Sequence, residues 1–140
     1  MRWLTIALLS TGLQAADLSS IAQEPNLEKR NQLAIDYASG ALDAASKQYR
    51  DGDSAKAEAA LHEVGASVEI AYQSLLDTHK EARRDSRFFK RTELATRQLL
   101  RRIEGLAESM SFEDRPVAEQ VRDRVAAIHD DLLQAIMKKK

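Results

Sequence analysis

The sequence predicts an all-α fold, an up-down-up-down four-helix bundle of two long antiparallel helical hairpins preceded by a signal peptide. Apolar residues recur at steps of three and four through four successive stretches. The punctuation between those stretches has the chemistry of helix ends. The opening of the chain differs in composition from everything after it.

That opening reads Met1-Arg2, an apolar run beginning Trp3-Leu4-Thr5-Ile6-Ala7-Leu8-Leu9, then Ser10-Thr11-Gly12-Leu13-Gln14-Ala15-Ala16 before the first acid, Asp17. One positive charge, a short apolar stretch and small residues in that order match a secretory leader. The run is about 11 residues, well under the roughly 20 needed to cross a bilayer core. No polar stripe interrupts it as one would in an amphipathic helix. The expectation is a leader over 1–15, cleavage after Ala15 or Ala16, and an exported helical domain over 16–140, periplasmic or secreted. Cysteine is absent, which closes disulfides, thiolate metal sites and a lipid-modified cleavage site.

Each helix follows from its stripe. Leu27, Ala34, Ala38, Ala41 and Ala45, flanked by Leu33, Tyr37, Leu42 and Tyr49, predict a helix over 26–50. Ala57, Leu61, Val64, Val68, Ala71 and Leu75 predict the second over 54–79. Phe88, Ala95, Leu99, Ile103, Leu106 and Met110 predict the third over 86–110, and Val117, Val121, Val125, Ile128, Leu132 and Ile136 the fourth over 113–137. Between the first two, Asp51-Gly52-Asp53 offers a glycine suited to positive φ and an aspartate suited to capping. Asp85 or Ser86 can cap the third helix. Ser111 with Asp114 has capping-box spacing, and Pro116 fits a first turn. Connections this short make neighbours antiparallel. The stretch Ala44–Leu61 resembles the turn of a tetratricopeptide repeat over fewer than twenty residues, but the flanking helices exceed that repeat's 34-residue unit.

Catalytic and cofactor motifs are missing from the sequence. There is no Gly-x-Ser-x-Gly elbow and no phosphate-cradling glycine loop. Periplasmic bundle cytochromes of the b type pair an early methionine with a late histidine, and Ala16-Asp17-Leu18 looks like a mature start of that family. No methionine lies between Asp17 and Ser109, so one axial ligand is lacking. Inward Glu-x-x-His pairs of di-iron bundles are absent, and His62, His79 and His129 read as isolated. The carboxylates read as lying on solvent faces. The expectation is therefore a non-enzyme without cofactor or metal.

Charge is the informative feature. From Asp17 to Thr78 there are 11 acids and 5 bases, from His79 to Arg102 3 acids and 9 bases, and from Ile103 to Met137 8 acids and 3 bases. At about 100° per residue, Arg87, Lys90, Arg91, Arg97, Arg101 and Arg102 fall within an arc of roughly 140° on the third helix, separate from its apolar arc. Leu94 projects from the middle of the basic arc. The pattern predicts either ion pairs with neighbouring helices or a docking stripe for an anionic partner. An anionic envelope polymer, a lipid headgroup or an acidic protein surface would suit an exported protein. Nucleic acid fits poorly, given a net charge of −1 and no recognition motif. The reading is an exported non-enzymatic binding or accessory module of the bacterial cell envelope. A small-molecule, metal or cofactor carrier using the bundle interior is the alternative, disfavoured by an alanine-rich interior that leaves little room.

Overall fold

The computed structural model describes residues 17–82 and 86–138; the leader expected over 1–15 and the possible cap Asp85 lie outside the described residues. Within them the chain is helical throughout, with α1 (Leu18–Ala22), α2 (Leu27–Arg50), α3 (Ser54–Asp77), α4 (Ser86–Ser109) and α5 (Arg115–Met137) packed together and no strand.

The four long helices coincide with the four stripes, with small shifts at their ends. The helix expected over 54–79 stops at Asp77. Thr78 turns its hydroxyl onto the Leu75 carbonyl at 2.6 Å, and His79 takes a left-handed φ of 53°, so the last turn closes on itself. The helix expected from 113 starts at Arg115. Ser111 opens a preceding turn, accepting from the Asp114 amide at 3.3 Å, while the Asp114 carboxylate accepts from Ser111 Oγ and from Tyr49 Oη. The hairpin turn behaves as its residues dictate: Gly52 takes φ 84° and Asp53 accepts from the Lys56 amide at 3.0 Å.

The short helix α1 has no periodic signature and escapes a sequence reading. Asp17 caps it by accepting from the Ser20 amide at 2.8 Å. Its one buried residue, Ile21, packs with Ala34 and Ala71. Pro25 separates it from α2, which Asn26 caps through the Lys29 amide.

Cross-helix bonds fix the directions. Asn31, early in α2, reaches the Ala71 carbonyl late in α3, so these two are antiparallel and pack along their whole length. Glu93 of α4 meets His129 of α5, and Arg115 at the start of α5 donates to Ala107 and Met110 near the end of α4. The two hairpins lie side by side in the same sense. Asn31 and Asp43 of α2 meet Thr92 and Arg102 of α4, while Ser54 and Glu69 of α3 meet Asp114 and Arg124 of α5. Backbone approach is extensive within each hairpin, moderate between α3 and α5, and slight between α2 and α4. Successive helices α3 and α4 are poor neighbours, approaching one another less than α3 approaches α5.

The core follows the predicted stripes of α2, α3 and α5 closely. Ala34, Ala38, Ala41, Leu42 and Ala45 are buried, as are Ala57, Leu61, Val64, Val68, Ala71 and Leu75. In α4 the expected stripe needs correction at its N-terminal half. Phe88 and Ala95 are only partly buried, and Phe89, Thr92 and Thr96 take the interior positions. Thr92 and Thr96 enter because their hydroxyls bond the carbonyls of Phe88 and Glu93, which removes the cost of burying them.

Candidate functional site

The basic arc of α4 lies on the side away from this core. Its two edges and its centre behave differently. At one edge Arg97 donates from Nε to Glu93 Oε1 at 3.0 Å. At the other, Arg102 pairs with Asp43 of α2 and donates to Ser39 Oγ at 3.0 Å. Each outermost arginine is thus drawn sideways toward an acid at a helix seam, as the ion-pair reading expects.

The centre is left without acids. Among the described residues, Arg87, Lys90, Arg91 and Arg101 make no ion pair. Arg87, Lys90 and Arg101 are exposed, and Leu94 between them is 49% exposed. Arg87 and Arg91 gather on the partly buried ring of Phe88, their guanidinium carbons 5.9 and 4.9 Å from its centroid. Lys80 approaches the same ring at 5.9 Å and is paired with Glu28 of α2. Ring faces attract cations, so Phe88 tethers two arginines at the N-terminal end of the stripe without neutralising them. Arg91 Nε is buried without a hydrogen-bond acceptor. Arg83 and Arg84 lie outside the described residues.

Two polar groups buried behind this face went unrecognised in the sequence. Asn31 donates to the Ala71 carbonyl at 2.9 Å and to Thr92 Oγ1 at 3.0 Å, tying α2, α3 and α4 together. Asn31 occupies the one gap in the Leu27–Ala34 stripe, a signal that could have found it. Glu93, 7% exposed, corrects the expectation that the carboxylates face solvent. His129, expected to be isolated, stands 2.9 Å from Glu93 Oε1 with only 14% of its side chain exposed. Burial pushes the Glu93 carboxyl up, but hydrogen bonds from Arg97 and His129 outweigh it and hold the group below the usual carboxylate range. Residues 36 apart on different helices give no spacing signal.

Hollows open elsewhere among the described residues. One of about 620 Å³ lies between α3 and α5, lined by Ala66, Glu69, Ile70, Tyr72, Gln73 and Ile128. Another, about 410 Å³, lies between the later part of α4 and α5, among Glu104, Glu108, Glu119, Arg115 and Arg122. Neither includes a stripe cation. No group of three or more His, Cys, Asp or Glu side chains among the described residues is placed to hold a metal ion. No described helix is long and apolar enough to cross a membrane.

No protein-family model, curated protein or solved structure matches the chain.

Proposed function

We propose that the chain is an exported four-helix bundle acting as a non-enzymatic binding module of the cell envelope, docking an anionic partner through α4. The observation that carries this reading is the sorting of charge across the stripe. Acids of the fold neutralise Arg97 and Arg102 at its edges, while Arg87, Lys90, Arg91 and Arg101 keep their charge around an exposed Leu94. Cations serving only to stabilise the bundle would be expected to find partners as the edge arginines do. Export rests on the leader-like opening. Cleavage after Ala15 or Ala16 would leave Asp17 in place as the cap of α1.

The direct test is retention on immobilised polyphosphate for the parent chain and the double variant Arg91→Glu/Arg101→Glu, at low and high salt. The parent is expected to bind and to elute with salt, because exposed charges are screened beyond about 8 Å at physiological ionic strength. The variant is expected to pass through with its helical circular dichroism intact. Equal retention of the two would remove the docking face. N-terminal sequencing of protein recovered outside the cytoplasm tests export, and an intact Met1 there would refute cleavage.

A further inference from the structure

Resting on that reading, and narrowing it, we infer that the α4 stripe docks onto the surface of an anionic phospholipid bilayer. Shape is the first argument. The free cations sit on a convex helical ridge, and from Arg87 to Arg101 they extend about 21 Å at 1.5 Å per residue. A ridge meets a plane along its whole length. An extended polymer or peptide can meet such a ridge through charge alone, but without the groove or sheet edge that would select it. The hollow between α4 and α5, where three glutamates face Arg115 and Arg122, includes none of the ridge cations.

Charge distribution is the second argument. The segments flanking the basic stretch are acidic, with 11 acids against 5 bases before it and 8 against 3 after it. The α4 side is therefore the basic side of the packed helices, and an anionic plane attracts the helical domain there. Lipid anions also diffuse laterally and can gather beneath cations whose positions are fixed, as the Phe88 ring fixes Arg87 and Arg91.

The third argument is Leu94. An apolar side chain ringed by long basic ones is the arrangement in which cations reach the phosphates while the apolar group enters the interface. The apolar arc of α4 is buried in the protein core, so α4 rests on the surface as part of the folded domain and only Leu94 dips below the phosphates.

Co-sedimentation of the full chain with two kinds of vesicle tests this: phosphatidylcholine alone, and phosphatidylcholine with 30 mol% (about one lipid in three) phosphatidylglycerol. Because the leader is present throughout, the readout is the ratio of partitioning between the two vesicles, compared across variants. That ratio is expected to favour the anionic vesicles and to fall about fivefold for each of Arg87→Gln and Arg101→Gln. Lys56→Gln, at an exposed position of α3, is expected to leave it unchanged. In a Trp3→Phe background, Leu94→Trp is expected to shift its emission to the blue on anionic vesicles. Circular dichroism confirms folding of each variant. Equal partitioning on the two vesicles, indifference to the arginine variants, or unshifted emission of vesicle-bound protein each overturns the bilayer assignment. If those variants still lose retention on polyphosphate, the docking face stands and only its lipid partner falls; if polyphosphate retention is unaffected as well, both readings fall.

Discussion

The α2–α3 and α4–α5 hairpins pack under the same constraints with different side chains. The first closes on small apolar residues, Ala34, Ala38 and Ala45 against Ala57, Leu61 and Val64, all fully buried. The second places Thr92, Glu93 and Thr96 inside and sets a basic ridge outside. Small residues let backbones approach, and the close contact of α2 with α3 follows. Buried polar groups must instead be satisfied one by one, which makes the inner face of α4 dependent on particular partners. The first hairpin buries polar residues as well, but Ser67 and Ser74 bond carbonyls of their own helix and only Asn31 reaches across to others, whereas Glu93 of the second needs Arg97 and His129.

The largest effects are expected where volume is removed. Leu61→Ala in α3 and Leu99→Ala in α4 each delete a buried leucine side chain, at a cost of about 2–5 kcal/mol. The Leu61 site, fully buried beside rigid alanines, has less freedom to collapse and is expected at the upper end of that range. Urea denaturation compares the two. An unchanged midpoint for Leu99→Ala would mean that the interior of α4 has been assigned to the wrong side.

Next comes the pairing that holds α4 to α5. Glu93→Gln removes the carboxylate shared by Arg97 and His129, and a loss of about 1.5–3 kcal/mol at neutral pH is expected for hydrogen bonds to a charged group. The pH dependence has a definite sign. Because the folded group lies below its ordinary value of 4.5, its ionised form favours the native state. That contribution is complete above the ordinary value and is lost as pH falls through the lowered native pKa. The stability difference between parent and variant is therefore expected to shrink on acidification. A difference that grows instead would show that Glu93 is destabilising when ionised.

The contrast between the hairpins also explains what the sequence reveals. Alanine, leucine and valine at helical spacing mark a buried face directly, and most positions of the α2, α3 and α5 stripes are buried, although Leu27, Val117 and Ile136 at their ends are only partly so and Ala118 is buried beside Val117. Threonine is ambiguous because its hydroxyl can return to the carbonyl of the preceding turn. Phe88 and Ala95 therefore looked like core while Phe89, Thr92 and Thr96 held it. The helix α1 is too short for a period to show. The basic arc was legible from spacing alone, but which of its arginines find an acid depends on Asp43 of a different helix and on the inward turn of Glu93. Thr92→Val tests the polar half of this account at constant volume. It removes the acceptor for Asn31 and is expected to cost about 0.5–1.5 kcal/mol by chemical denaturation. A neutral outcome would show that Asn31 is satisfied by the Ala71 carbonyl alone.

The smallest expected effect on stability discriminates best between the two roles of the ridge. Arg101 and Arg102 are adjacent on α4, yet Arg102 pairs with Asp43 and bonds Ser39, whereas Arg101 is exposed without an ion pair. Reversing Arg102 to Glu sets two acids against each other at the α2–α4 seam, where backbone approach is slight. A loss at the upper end of about 0–1 kcal/mol is expected. Reversing Arg101 breaks no pair and relieves some repulsion among its basic neighbours, so its melting temperature is expected to match the parent's within error. Retention on polyphosphate is expected to rank the same variants in the opposite order. Arg101→Glu changes a charge that only a partner would neutralise, while Arg102→Glu changes one already offset inside the fold. Equal melting temperatures with equal losses of retention would mean that the Arg102 pair does not form in solution and that the whole arc acts as one stripe. A lower melting temperature for Arg101→Glu with unchanged retention would assign the ridge to stability alone.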